Sequence, residues 1–130
     1  MFSLDGRDNF YGGQQYSKGT KMIFRTPLGG QTIRKGVTNV TSRFPKKSIY
    51  VAYFDEIRIT TENQSDSEAT VSFRFVLTEE RELLIPLKKF KLAPGESCTD
   101  VFPIPGTRLT ILAEIETDEE SVIEVVVYGR

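Results

Sequence analysis

The sequence predicts an all-β chain: an antiparallel β-sandwich, jelly-roll or immunoglobulin-like, preceded by an extended N-terminal arm. Three observations predict it. Residues 69–77 alternate with period two, placing Val71, Phe73, Phe75 and Leu77 on one face and Thr70, Ser72, Arg74 and Val76 on the other. Turn-forming residues recur roughly every eight to twelve positions. No stretch carries a convincing helical period, so helical crossovers are not expected and antiparallel sheets packed face to face are. A closed barrel is the alternative architecture.

Residues 1–20 are rich in Gly, Gln, Ser, Asn and Asp, with Phe10, Tyr11 and Tyr16 scattered among them and no sustained period, so they read as an arm. Residues 21–130 form the sandwich domain. Residues 21–26 are a strand ended by Pro27 and the pair Gly29 and Gly30, with residues 31–35 as the expected hairpin partner. A short β-branched strand at 37–41 leads to a basic turn carrying Arg43, Pro45, Lys46 and Lys47. Residues 49–54 are the next strand, with Ile49, Val51 and Tyr53 on one side, followed by a strand at 57–61 and a polar connection at 63–68. The strand at 69–77 then occupies a central place.

A charged turn at 79–82 precedes an apolar segment at 83–87. Pro86 within it cannot donate to a ladder, which assigns the segment to an edge or a bulge. Pro94 and Gly95 suit a type II turn. Strands at 98–104 and 108–116 are separated by a tight reversal at Pro105 and Gly106, and residues 117–120 are expected to close a last hairpin with the strand at 122–128. That final strand is apolar on both faces, so it is central in its sheet or covered by another subunit. Eight to ten strands are expected in all.

At 130 residues, with 38% hydrophobic and 27% charged residues, the chain fits one soluble domain with a core of its own. No apolar run approaches the ~20 residues that cross a bilayer, so no membrane partner is expected. The N-terminus lacks both a basic start and a continuous apolar region. No secretory signal is therefore expected; the chain is made in the cytoplasm, with a virus particle or an extracellular filament as its destination. Cys98 is the single cysteine, which excludes an intrachain disulfide and leaves an intermolecular bond or a small half-buried side chain.

The chain has no histidine and no tryptophan. Triads and most zinc or iron sites need histidine, so no catalytic set assembles, no enzyme is expected and no cofactor is called for. The carboxylates at 79–82 and at Asp118, Glu119 and Glu120 lack the spacing of a calcium loop and read as solvated turns. Charge is split unevenly along the chain. Residues 1–54 carry nine basic and two acidic side chains, a balance of +7, and residues 55–130 carry eight and sixteen, a balance of −8. Lys18, Lys21, Arg25, Arg34, Lys35, Arg43, Lys46 and Lys47 form the candidate basic surface, and Asp118, Glu119 and Glu120 the candidate acidic turn. Two surfaces of opposite sign can recognise each other between copies, unless folding intermixes them. Basic residues interleaved with Phe10, Tyr11, Tyr16, Phe24 and Phe44 also suit single-stranded nucleic acid, although no RNP, KH or zinc-knuckle pattern is present.

Val71 to Phe73, the turn at residues 92–97, then Val101, Leu109 to Ile111 and Val125 to Gly129 follow one another in an order that resembles small jelly-roll subunits of bacterial extracellular filaments, endospore appendages included, and of phage particles. The spore-appendage family crosslinks its subunits through cysteines of an N-terminal connector, and residues 1–20 have none. What the resemblance implies is therefore the shared plan, a flexible arm before a signal-less sandwich. The expected function is a non-catalytic structural subunit that self-assembles through the arm and complementary charged surfaces into a filament or virus particle. Its partners would be copies of itself and other virion or filament proteins. The alternative is a soluble binding module for a polyanion or a glycan.

Overall fold

Alternation becomes burial in β6 (Ala69–Val76), where Val71, Phe73 and Phe75 are wholly buried and Thr70, Ser72 and Arg74 face out. The computed structural model describes residues 20–76, 84–103 and 106–130. The other strands are β1 (Lys21–Arg25), β2 (Gln31–Ile33), β3 (Gly36–Asn39), β4 (Ile49–Tyr50), β5 (Glu56–Asn63), β7 (Leu84–Leu92), β8 (Ser97–Pro103), β9 (Arg108–Ile115) and β10 (Ser121–Gly129). The only helical element among the described residues is a single 3-10 turn, Pro45–Lys47.

All strand pairs are antiparallel and form two sheets. The first runs β1-β10-β5-β8 with β2 also on β10; the second runs β3-β9-β6-β7 with β4 also on β9. Ile57, Ile59, Ile123, Val125 and Val127 from the first meet Val71, Phe73, Phe75, Leu109 and Ile111 from the second in one core. Phe73 packs edge-on against Phe90 at 5.3 Å and Phe102 at 5.9 Å, tying β6 to both outer strands on that side.

Apart from β1 with β2, β3 with β4, and the paired neighbours β6 and β7, successive strands among the described residues lie in opposite sheets. Counting β1 with β2 and β3 with β4 as single interrupted strands, this is the order of an eight-stranded jelly roll, neither an immunoglobulin sandwich nor a closed barrel. Two expected hairpins are thereby corrected. The turn at 117–120 does not close a hairpin, because β9 and β10 lie in opposite sheets. Residues 31–33 pair with β10 rather than with β1. Thr26 explains the second case: its N–H donates to Val125 O at 3.0 Å and its Oγ1 accepts from Val125 N–H at 3.1 Å, keeping the chain on β10 up to Pro27. The Gly30 N–H then donates to Pro27 O, and the chain returns to the same strand in the same direction. Gly30 has φ +91°, and a Cβ there would sit 2.5 Å from Val122 Cγ1.

The expected strand at 49–54 stops after Tyr50. Residues 51–55 instead cross from one sheet to the other, with Val51 N–H on Thr107 O and Asp55 N–H on Arg130 O. Tyr53 consequently does not share a side with the buried Ile49 and Val51 and is 86% exposed. β7 is both an edge and a bulge, as Pro86 required: Phe73 pairs with Lys88 while Arg74 pairs with Pro86, leaving Leu87 as the extra residue. β10 lies between β5 on one side and β1 with β2 on the other, so it is central. The charged turn at 79–82 and Pro105 lie outside the described residues.

Candidate assembly surface

Folding brings only part of the sequence-predicted surface together. Phe10, Tyr11, Tyr16 and Lys18 lie outside the described residues. Lys21 and Arg25 sit on β1, where Arg25 meets Glu124 at 3.6 Å. Arg34 and Lys35, between β2 and β3, pair with Glu120 at 3.1 Å and Asp118 at 3.3 Å within the same chain. At that end the basic first part and the acidic second part interleave. Glu119 lies between these pairs, its backbone N–H on Thr117 Oγ1.

Arg43, Lys46 and Lys47 are elsewhere, in the excursion between β3 and β4. The Arg43 guanidinium lies 4.9 Å from the Phe24 ring centre and 5.4 Å from that of Phe44, closing the β1 side of the sandwich. Lys46 and Lys47 both have φ 57°, a left-handed conformation that side-chain-bearing residues seldom adopt. Asn39 Nδ2 and Thr41 Oγ1 hold the turn by donating to Lys47 O at 3.1 and 3.0 Å. Arg108, absent from the sequence-predicted set, donates to Pro45 O and stacks 5.3 Å from the Tyr50 ring, which packs edge-on against Tyr53. Only the β4–β9 pairing could place Arg108 there.

The opposite side of the sandwich is bounded by β7 and β8. β7 carries the devices that discourage a further strand: Pro86, a bulge, and Lys88, Lys89 and Lys91. β8 carries no basic residue, and its one proline is the terminal Pro103. Its inward charge, Asp100, is met by Lys88 Nζ at 2.7 Å. Cys98 Sγ completes the cluster, 3.4 Å from Asp100 Oδ2 and 3.6 Å from Lys88 Nζ. The hydrogen bond to Asp100 outweighs desolvation and holds the Lys88 ammonium above its ordinary range. Burial first, then Asp100, pushes the Cys98 thiol up as well, so it is a protonated donor rather than a nucleophile. Among the described residues β8 pairs on one side only, with β5.

The outer face of the first sheet carries a row that crosses β1, β10, β5 and β8. Met22 pairs with Tyr128, Tyr128 with Arg58, and Arg58 with Val101. The Arg58 guanidinium lies 4.8 Å from the Tyr128 ring centre, and Met22 (45% exposed) and Val101 (56%) flank that plate. Over Tyr128, Arg58 and Val101 opens a shallow cavity of about 190 Å³ whose wall includes Thr20, the first described residue. Alternation gave Tyr128 an outward side, but nothing in the sequence said that Met22, Arg58 and Val101 would align with it.

No protein-family model matches this chain, and no curated protein matches it. Among solved structures it is similar to one described as the crystal structure of PirA, with 11% identity, a TM-score of 0.45, and 89% of this chain and 98% of that chain covered. Among the described residues no helix is long and apolar enough to cross a membrane.

Proposed function

We propose that the chain is a non-catalytic structural subunit that self-assembles, its N-terminal arm adding a strand to a neighbouring copy in a filament or virus particle. The contrast between the two edges on one side of the sandwich carries this reading. β7 is guarded by proline, bulge and lysines, whereas β8 (Ser97–Pro103) has no lysine and no bulge, and its one proline stands only at its end. An edge of that kind accepts an extended segment through backbone hydrogen bonds. Light scattering on the full chain and on a chain lacking residues 1–19, with electron micrographs of both, tests it. The full chain should form multimers or polymers and the shortened chain should stay at the mass of one copy. Equal masses for the two would overturn the role of the arm.

One observation favours a second reading, a polyanion-binding module. Lys46 and Lys47 are held in a strained turn beside Arg108, Tyr50 and Tyr53, a grouping of cations and stacking rings. On that reading Lys46→Glu with Lys47→Glu abolishes retention on single-stranded nucleic acid and leaves the mass unchanged.

A further inference from the structure

We infer that the row Met22, Tyr128, Arg58 and Val101 is the seat for an aromatic side chain from residues 10–16 of a second copy's arm. This rests on the strand-addition reading and names what the added strand brings with it. Side chains of a strand laid beside β8 alternate between the core side and the outer face, so every second one continues the cross-strand row next to Val101. Phe10, Tyr11 and Tyr16 are the aromatic residues of that segment.

The cavity sets the size of the guest. Pockets for drug-sized ligands run to about 300–1,000 Å³, whereas about 150 Å³ accommodates one benzene ring. At about 190 Å³ the space over the row is the size of a single ring. Its chemistry agrees. In its wall Arg130 is already matched by Glu56 at 2.7 Å and Arg58 lies on the Tyr128 ring, an arrangement that disfavours an anion. What remains is a guanidinium lying on one tyrosine ring with Val101 beside it, a surface that favours another ring.

The strand-addition reading assigns the ring to a second copy, and chain length permits it. Nineteen residues precede Thr20, which itself forms part of the cavity wall. Extended, they span about 60 Å, against about 14 Å for a row across four strands. Phe10 and Tyr11 lie about 30 Å of extended chain from Thr20, enough to reach past their own domain.

The test uses the full chain with a benzophenone amino acid at Tyr11 or Tyr16, irradiated, digested and mapped by mass spectrometry. Expected are adducts to peptides containing Val101 or Tyr128, found in species of twice the chain mass. Adducts confined to single chains, or mapping away from the row, overturn the inference. In parallel, Val101→Asp and Arg58→Ala should each weaken association about tenfold by light scattering with unchanged melting temperature. A parent chain that assembles while both folded variants assemble equally well overturns this seat and leaves strand addition standing. A parent chain that stays at single-copy mass at every concentration overturns the strand-addition reading itself.

Discussion

Thr61 points into the core with its Oγ1 wholly buried and without a hydrogen-bond partner among the described residues. A buried hydroxyl left unpaired costs about 1–3 kcal/mol, so Thr61→Val, nearly the same shape, should raise unfolding free energy by about 1 kcal/mol in urea melts. An unchanged or lowered midpoint would mean that the hydroxyl is satisfied. Phe73→Ala and Phe75→Ala should each cost about 3–5 kcal/mol, since both rings fill the space between the sheets. Lys88 supplies a pH test. Its ammonium is held above the ordinary value of 10.5, so the contact with Asp100 contributes fully below that value and fades as pH climbs through the raised one. The stability advantage of the parent over Lys88→Gln should therefore hold at neutral pH and narrow in strong alkali. A gap that persists there would remove the ion pair as its cause. Asn63 shows what residue-level reading missed. Wholly buried, it donates to Ser67 O at 2.7 Å and Leu92 O at 3.0 Å and accepts from the Ser65 N–H, pinning a turn that sequence marked only as polar to the end of β7.

Edges decide the behaviour of the elements. Pro86 announced β7 as a guarded edge from sequence, because a missing N–H is a local property. β8 gave no such signal; its exposure follows from pairing with β5 alone among the described residues. If that edge accepts the arm, an outward lysine should guard it as the lysines of β7 do. Thr99→Lys is accordingly expected to reduce assembly while leaving the melting temperature within about 2–4 °C of the parent, since Thr99 is exposed and its hydroxyl lies 3.1 Å from that of Thr60. Normal assembly of a folded Thr99→Lys chain would exclude β8 as the acceptor.

Over the whole molecule, a charge split that is marked in sequence is weaker in space. Arg34 and Lys35 sit against Glu120 and Asp118, while Lys46 and Lys47 lie near the start of β9, about 25 Å from the turn that follows its end. The pairs at the acidic end are exposed and contribute at most about 1 kcal/mol each, yet they leave that end without a single sign. Association of the full chain should thus change by less than about threefold between about 0.05 and 1 M salt, the apolar row and backbone bonds being little screened. A steep fall with salt would restore complementary charged surfaces as the main contact.

Strand alternation, the breaks at Pro and Gly, the bulge at Pro86 and the cores of β6 and β10 were legible in the sequence, because each depends on neighbours within a few residues. Which strand each one joins was not. A link such as 117–120 can return the chain to the adjacent strand about 4.8 Å away or carry it over to the facing sheet about 10 Å away, and the same turn residues serve both. The long-range packing of Phe73 on Phe90 and Phe102, and of Ile123, Val125 and Val127 on the opposite sheet, selects the second route. With that choice come the jelly-roll order, the single-sided edge of β8 and the alignment of Met22, Tyr128, Arg58 and Val101. The surface from which function is argued was decided by tertiary structure because its residues lie as much as 106 positions apart and share only a face.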